Sequence, residues 1–189
     1  MRVRLPEADP AASPELERAF AEFRRTRGFV SNIMRAYAHA PAGLAALAEL
    51  GRYCRYDTAL SELQKELAIL ISGRGVAYAW HHHAPLGLKA GLSEAQLDAV
   101  RHGEVPEGLS AADGALAAYA FAVAALRGVP EPVFAGMREH FTPRQITDVN
   151  LIVGYYLAIA ATVIACEVEP DPPEEVAAGT AFHAKGAAR

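Results

Sequence analysis

A chain of 189 residues is long enough to bury one real core. Its hydrophobic content of 52%, rich in Ala and poor in β-branched alternation, favours an all-helical fold over a sheet. A net charge of −4, from 18 basic and 22 acidic residues with no basic stripe, speaks against a nucleic-acid-binding protein.

The elements follow in chain order. Residues 1–12 are rich in Pro and Ala and are expected to form an extended arm. Ser13-Pro14-Glu15 combines an N-cap, a first-turn proline and an acidic first turn, so a helix starts there and buries Leu16, Phe20 and Phe23 before Gly28. Ser31 caps a short helix to Ala40, broken by Pro41. A longer helix over 42–56 turns Leu44, Leu47 and Leu50 inward. The stretch 60–90 is then expected to fold as a helical hairpin. Ser93 with Gln96 forms a capping box for a helix to about His102, and 103–108 is a loop. Ser110 and Asp113 start a helix to Arg127, closed by Gly128. Pro130 and Pro132 frame a turn before a short helix ending near His140. Thr142-Pro143 with Gln145 opens the last helix, which carries Asp148, Asn150, Tyr155, Tyr156 and Thr162. The reading is about nine helices and no strand: an arm over 1–12, a single helical domain over 13–170, and a mobile tail over 171–189.

The beginning MRVRLPEADP has no apolar leader segment, and Cys54 and Cys166 are lone thiols with no CxxC. Together they predict a cytoplasmic protein with reduced cysteines. The apolar stretch 151–166 carries Gly154, two Tyr and Thr162. It is expected to be a buried helix, with no membrane partner.

The hairpin holds the chemistry. Its first arm starts with a second capping box, Ser61 with Gln64, and repeats Leu63, Leu67 and Leu70 at helical spacing. Glu66 falls inside that apolar stripe, where burial would raise its pKa unless a partner offset it. Gly73 and Gly75 end the arm. The second arm runs from about Tyr78 to Lys89 and stops at Gly91. With a bend near Gly75, Glu66 lies about 12 Å back along one arm and His83 about 7 Å along the other. The difference of about 5 Å is within side-chain reach.

Three consecutive histidines, His81, His82 and His83, raise the question of a metal. Helical neighbours point about 100° apart, so three in a row cannot converge on one ion, and no metal or other cofactor is expected. A metal site would need one of these histidines with Glu62 or Glu66 from across the hairpin. The plain structural alternatives are a Glu66 paired with Arg74 or Lys65, aromatic packing for Tyr78 and Trp80, and a single buried, hydrogen-bonded histidine.

The hairpin resembles the core motif of the carboxymuconolactone decarboxylase and alkylhydroperoxidase D superfamily. The matching residues are Glu66-Leu67-Ala68-Ile69-Leu70, Tyr78-Ala79-Trp80, His83, Leu86 and Ala90-Gly91-Leu92-Ser93. Further similarity lies in Asn32-Ile33-Met34-Arg35-Ala36, His39 and Pro41, then in Leu109-Ser110, Gln145 to Asp148, Val153-Gly154-Tyr155-Tyr156 and Glu167-Val168-Glu169-Pro170. The resemblance implies a helical bundle of the alkylhydroperoxidase D-like type, assembled as trimers or hexamers. The peroxidase branch carries a CxxC between the matching glutamate and histidine. The corresponding residues 75–82 contain no cysteine, which argues against thiol peroxidase activity. The turn is about two residues shorter than in long relatives, and Ala79 stands where those often have glutamate; both departures point away from the family's namesake substrate.

The resulting expectation is a cofactor-independent lyase or isomerase working by proton transfer on a small carboxylate, lactone or carbonyl compound. His83 is the general acid/base, Glu66 orients it and Tyr78 donates to a developing oxyanion. Arg74 anchors a carboxylate, with Trp80 and His82 as further substrate contacts. The alternative is a non-catalytic helical oligomer or ligand-binding protein.

Overall fold

The Ser13, Ser61, Ser93 and Ser110 side chains cap helices where the spacing of polar residues puts them, whereas Ser31, at the N-cap of the short helix, makes no side-chain cap hydrogen bond. In the computed structural model, which describes residues 3–177 and Gly179, helix α1 spans Pro14–Arg27. The Ser13 hydroxyl accepts from the Leu16 amide at its start, and Gly28, at φ 82°, closes it. A short 3-10 turn, Pro10–Ala12, precedes it under an Asp9 cap. Helices α2 (Asn32–Ala36) and α3 (Pro41–Tyr56) follow; α2 stops four residues earlier than expected because 37–40 form a turn. Pro41 opens α3, a position where its missing N–H costs nothing.

The hairpin consists of α4 (Glu62–Ser72) and α5 (Ala77–Ala90). Then come α6 (Glu94–His102), α7 (Ala111–Ala124), α8 (Glu131–His140) and α9 (Pro143–Ala165). Both expected capping boxes, Ser61/Gln64 and Ser93/Gln96, are formed reciprocally. Helix α7 ends three residues short of Arg127, because Leu126 adopts a left-handed φ of 54° just before Gly128 at 99°. No strand occurs among the described residues, so the fold is all-α.

The chain divides into two compact units, Met1–Glu49 with Thr162–Arg189, and Leu50–Ala161. The first buries Leu16, Phe20, Phe23, Ile33, Met34 and Leu44. The Arg4 amide donates to the Cys166 carbonyl at 2.8 Å, so the N-terminal arm is pinned at that point. Asn32 holds the other end: its amide donates to the buried Asp171 carboxylate at 2.6 Å, and its side-chain nitrogen donates to the carbonyls of Glu169 and Pro170. Residues 173–177 are helical; the rest of the expected mobile tail, Gly179 apart, lies outside the described residues.

In the second unit α4 is the central rod. Leu67, Ala68, Ile69, Leu70 and Ile71 are wholly inaccessible, because α5, α6 and α7 pack around it. Asp148 on α9 is also inaccessible and is satisfied by the Tyr53 hydroxyl at 2.7 Å and the Ala59 amide at 2.8 Å. Helix α9 is long and apolar enough to cross a membrane, and half of its apolar stretch is buried inside the protein.

The α4–α5 turn closes tightly. A Cβ at Gly73 would lie 2.5 Å from the Cβ of Ala79, closer than side chains approach. Gly73→Ala is therefore expected to cost about 1–3 kcal/mol. In circular-dichroism melting this should lower Tm by several degrees; an unchanged Tm would contradict the close approach.

Candidate active site

The apolar stripe of α4 carries Glu66 into the interior, where the residue is 1% exposed. Helix α5 runs back along α4 and brings His83 to it: His83 Nδ1 lies 2.9 Å from Glu66 Oε2. The arithmetic of two antiparallel arms thus holds. The other carboxylate oxygen is taken by Arg55, from the last turn of α3, whose Nη1 donates to Glu66 Oε1. Neither Arg74 nor Lys65 pairs with Glu66. Lys65 instead reaches back, donating from Nζ to the Arg55 carbonyl at 2.9 Å and to Glu62 at 2.6 Å. It thereby fixes the end of α3 from which Arg55 projects. Tyr156 of α9 stands edge-on to the His83 ring, centroids 5.1 Å apart, and meets Tyr155 in the same way.

These contacts set the protonation states. Burial alone would raise the Glu66 pKa, but the His83 ring and the Arg55 guanidinium reverse this and hold it down at about 2. Burial pushes His83 below its usual 6.5; Glu66 pulls in the other direction, while Arg55 and His82 add to the downward shift. For Arg55, burial is outweighed by Glu66, Tyr156 and Glu62, and its pKa rises. At neutral pH the trio is therefore guanidinium, carboxylate and neutral imidazole. An ionised carboxylate can only accept, so the single ring N–H of His83 sits on Nδ1. Its Nε2 carries a lone pair and takes no hydrogen bond from the described residues.

Of the other expected site residues, the Tyr78 ring meets that of His82, one turn along, tilted at 40° with centroids 4.6 Å apart. Trp80 donates from Nε1 to the Arg74 carbonyl at 2.9 Å, and its ring lies under the Arg101 guanidinium at 4.3 Å. Arg74, Trp80 and His81 line a separate cavity that includes neither Glu66 nor His83. His81 and His82 meet ring to ring in a T-shaped arrangement, centroids 5.3 Å apart, while His83 turns to Glu66. No group of three or more His, Cys, Asp or Glu side chains suited to a metal gathers among the described residues.

Sequence reasoning missed Arg55 and Tyr156. Arg55 did leave a signal: it falls eleven residues, three helical turns, after the buried Leu44. Both cysteines are free. Burial, aided by the Asp148 charge, pushes the Cys54 thiol up to about 11, the opposite of a reactive thiolate.

No protein-family model matches the sequence, and no curated protein is similar to it. Solved structures do match. An uncharacterized peroxidase-related protein from Ralstonia eutropha, described as an alkylhydroperoxidase AhpD core, is 20% identical with a TM-score of 0.77, over 95% of this chain and 97% of that one. A second uncharacterized peroxidase-related protein, from a Silicibacter species, is 19% identical with a TM-score of 0.73, over 90% and 92%. The debrominase Bmp8 is 16% identical with a TM-score of 0.69, over 96% and 95%. With nine-tenths or more of each chain aligned, the helical arrangement described above is that of the alkylhydroperoxidase D-like fold.

Proposed function

We propose that this protein is a cofactor-independent acid–base enzyme, a lyase or isomerase acting on a small carboxylate, lactone or carbonyl compound. The observation that carries this reading is the polarised imidazole: His83 Nδ1 bonded to a buried carboxylate that is itself clamped by Arg55. Such a ring is fixed in one tautomer and presents Nε2 as a base. In an isomerisation, Nε2 removes a proton from the carbon next to a carbonyl, the C–H electrons move onto the carbonyl oxygen, and the imidazolium returns the proton at another carbon. Glu66 stabilises the imidazolium between the two steps. Arg55, Lys65 and Tyr156 are positioning residues: the first two hold Glu66, and the third sets the plane of the ring.

The fold carries more than one chemistry, as the names of its neighbours, peroxidase-related protein and debrominase, indicate. A thiol mechanism is disfavoured for this chain because residues 75–82 hold no cysteine. Assembly as a trimer or hexamer belongs to the same proposal, and light scattering coupled to size exclusion measures it.

The test is a screen of lactones and keto acids with wild type and His83→Ala. The variant is expected to lose about 10²- to 10⁴-fold in turnover, the usual contribution of a general base. Undiminished turnover in the variant would remove His83 from the mechanism.

A further inference from the structure

We infer that the cavity at the α4–α5 turn is an anion site, distinct from the Glu66–His83 pair, which takes the carboxylate or phosphate of a small organic acid. Its volume of about 500 Å³ suits a small molecule. The lining is Arg74, Gly75, Ala77, Trp80, His81 and Arg101, with two guanidinium-bearing residues and no carboxylate. Neither guanidinium has an ion-pair or hydrogen-bond partner among the described residues, although the chain as a whole is acidic. Most other arginines in this unit are committed: Arg52 to Asp57, Arg55 to Glu66, Arg138 to Glu131.

One further feature adjoins the same space. Val76, the N-cap of α5, makes no side-chain cap hydrogen bond, and Ala77, the first residue of the helix, lines the cavity, so the positive end of the helix adjoins it. A planar guanidinium fork matches a carboxylate or phosphate edge, and two such forks match the several oxygens of one oxyanion.

Trp80 is the only tryptophan of the chain and lies in the cavity wall, so its fluorescence reports occupancy directly. Titration with sodium phosphate and with succinate, each against sodium chloride at equal ionic strength, is expected to give a saturable change with at least one of the two. Saturation by phosphate alone, or by succinate alone, supports the site and identifies its oxyanion. Arg74→Gln and Arg101→Gln should each weaken the response by roughly tenfold or more, and Arg74→Lys should recover part of it. Melting curves and calorimetric titration of the same variants separate loss of binding from loss of fold. The inference is overturned if neither anion gives a saturable change, or if both glutamine variants titrate as wild type does. The outcome is independent of the His83 assay, since His83 does not line this cavity.

Discussion

Replacing Arg55 by methionine is expected to destabilise the protein by about 3–5 kcal/mol, because it leaves a buried carboxylate facing only a neutral imidazole. Glu66 is inaccessible and Arg55 itself is largely covered, so water cannot replace the lost partner. For a chain of this size the loss corresponds to a fall in Tm on the order of 10 °C. Urea denaturation measures it directly. The double replacement Arg55→Met with Glu66→Leu should recover much of the loss, since breaking a buried ion pair costs more than exchanging the whole pair for apolar groups. A cost below about 1 kcal/mol for the single variant would mean that Glu66 does not depend on Arg55.

The second large effect is with pH. The His83 pKa is depressed from 6.5 on folding, so below pH 6.5 the unfolded chain takes up a proton that the folded chain resists. The stability this group contributes is present above 6.5 and declines as the pH falls toward the folded value. Glu66 acts lower down: its pKa drops from 4.5 to about 2, so its contribution is intact above 4.5 and is lost between 4.5 and about 2. Urea unfolding at stepped pH should therefore show two stages of acid loss. His83→Asn should abolish the upper stage and shrink the lower, which Arg55 then sustains alone. A stability profile flat from pH 7 to pH 5 would contradict the neutral, buried imidazole.

Local rules read well because they involve neighbours. The two capping boxes, the Ser13 cap and the Gly28 and Gly91 stops all act within five residues, and each is in place. The Glu66–His83 contact was legible because the two residues share one hairpin, whose geometry follows from rise per residue and the position of the turn. Arg55 was harder. It belongs to a third helix, and only its place on the Leu44 stripe hinted that it turns inward. Tyr156 lies 73 residues beyond His83, and no spacing rule spans that distance. Arg74 and Trp80 line a cavity that includes neither Glu66 nor His83: nearness in sequence around the α4–α5 turn puts side chains on different sides of the hairpin. The depressed pKa of His83 also lay beyond sequence, because it arises from the balance of burial against the Glu66 charge.

The clamp on Glu66 has one more consequence. At rest the guanidinium, the carboxylate and the uncharged ring cancel, leaving an electrically silent centre in a poorly screened interior. In the proposed reaction, uptake of a proton by the ring would give that centre a net positive charge at the moment the reacting molecule becomes more negative. The field holding such an intermediate would thus be switched on by the act that creates it, and would fade when the proton is handed back.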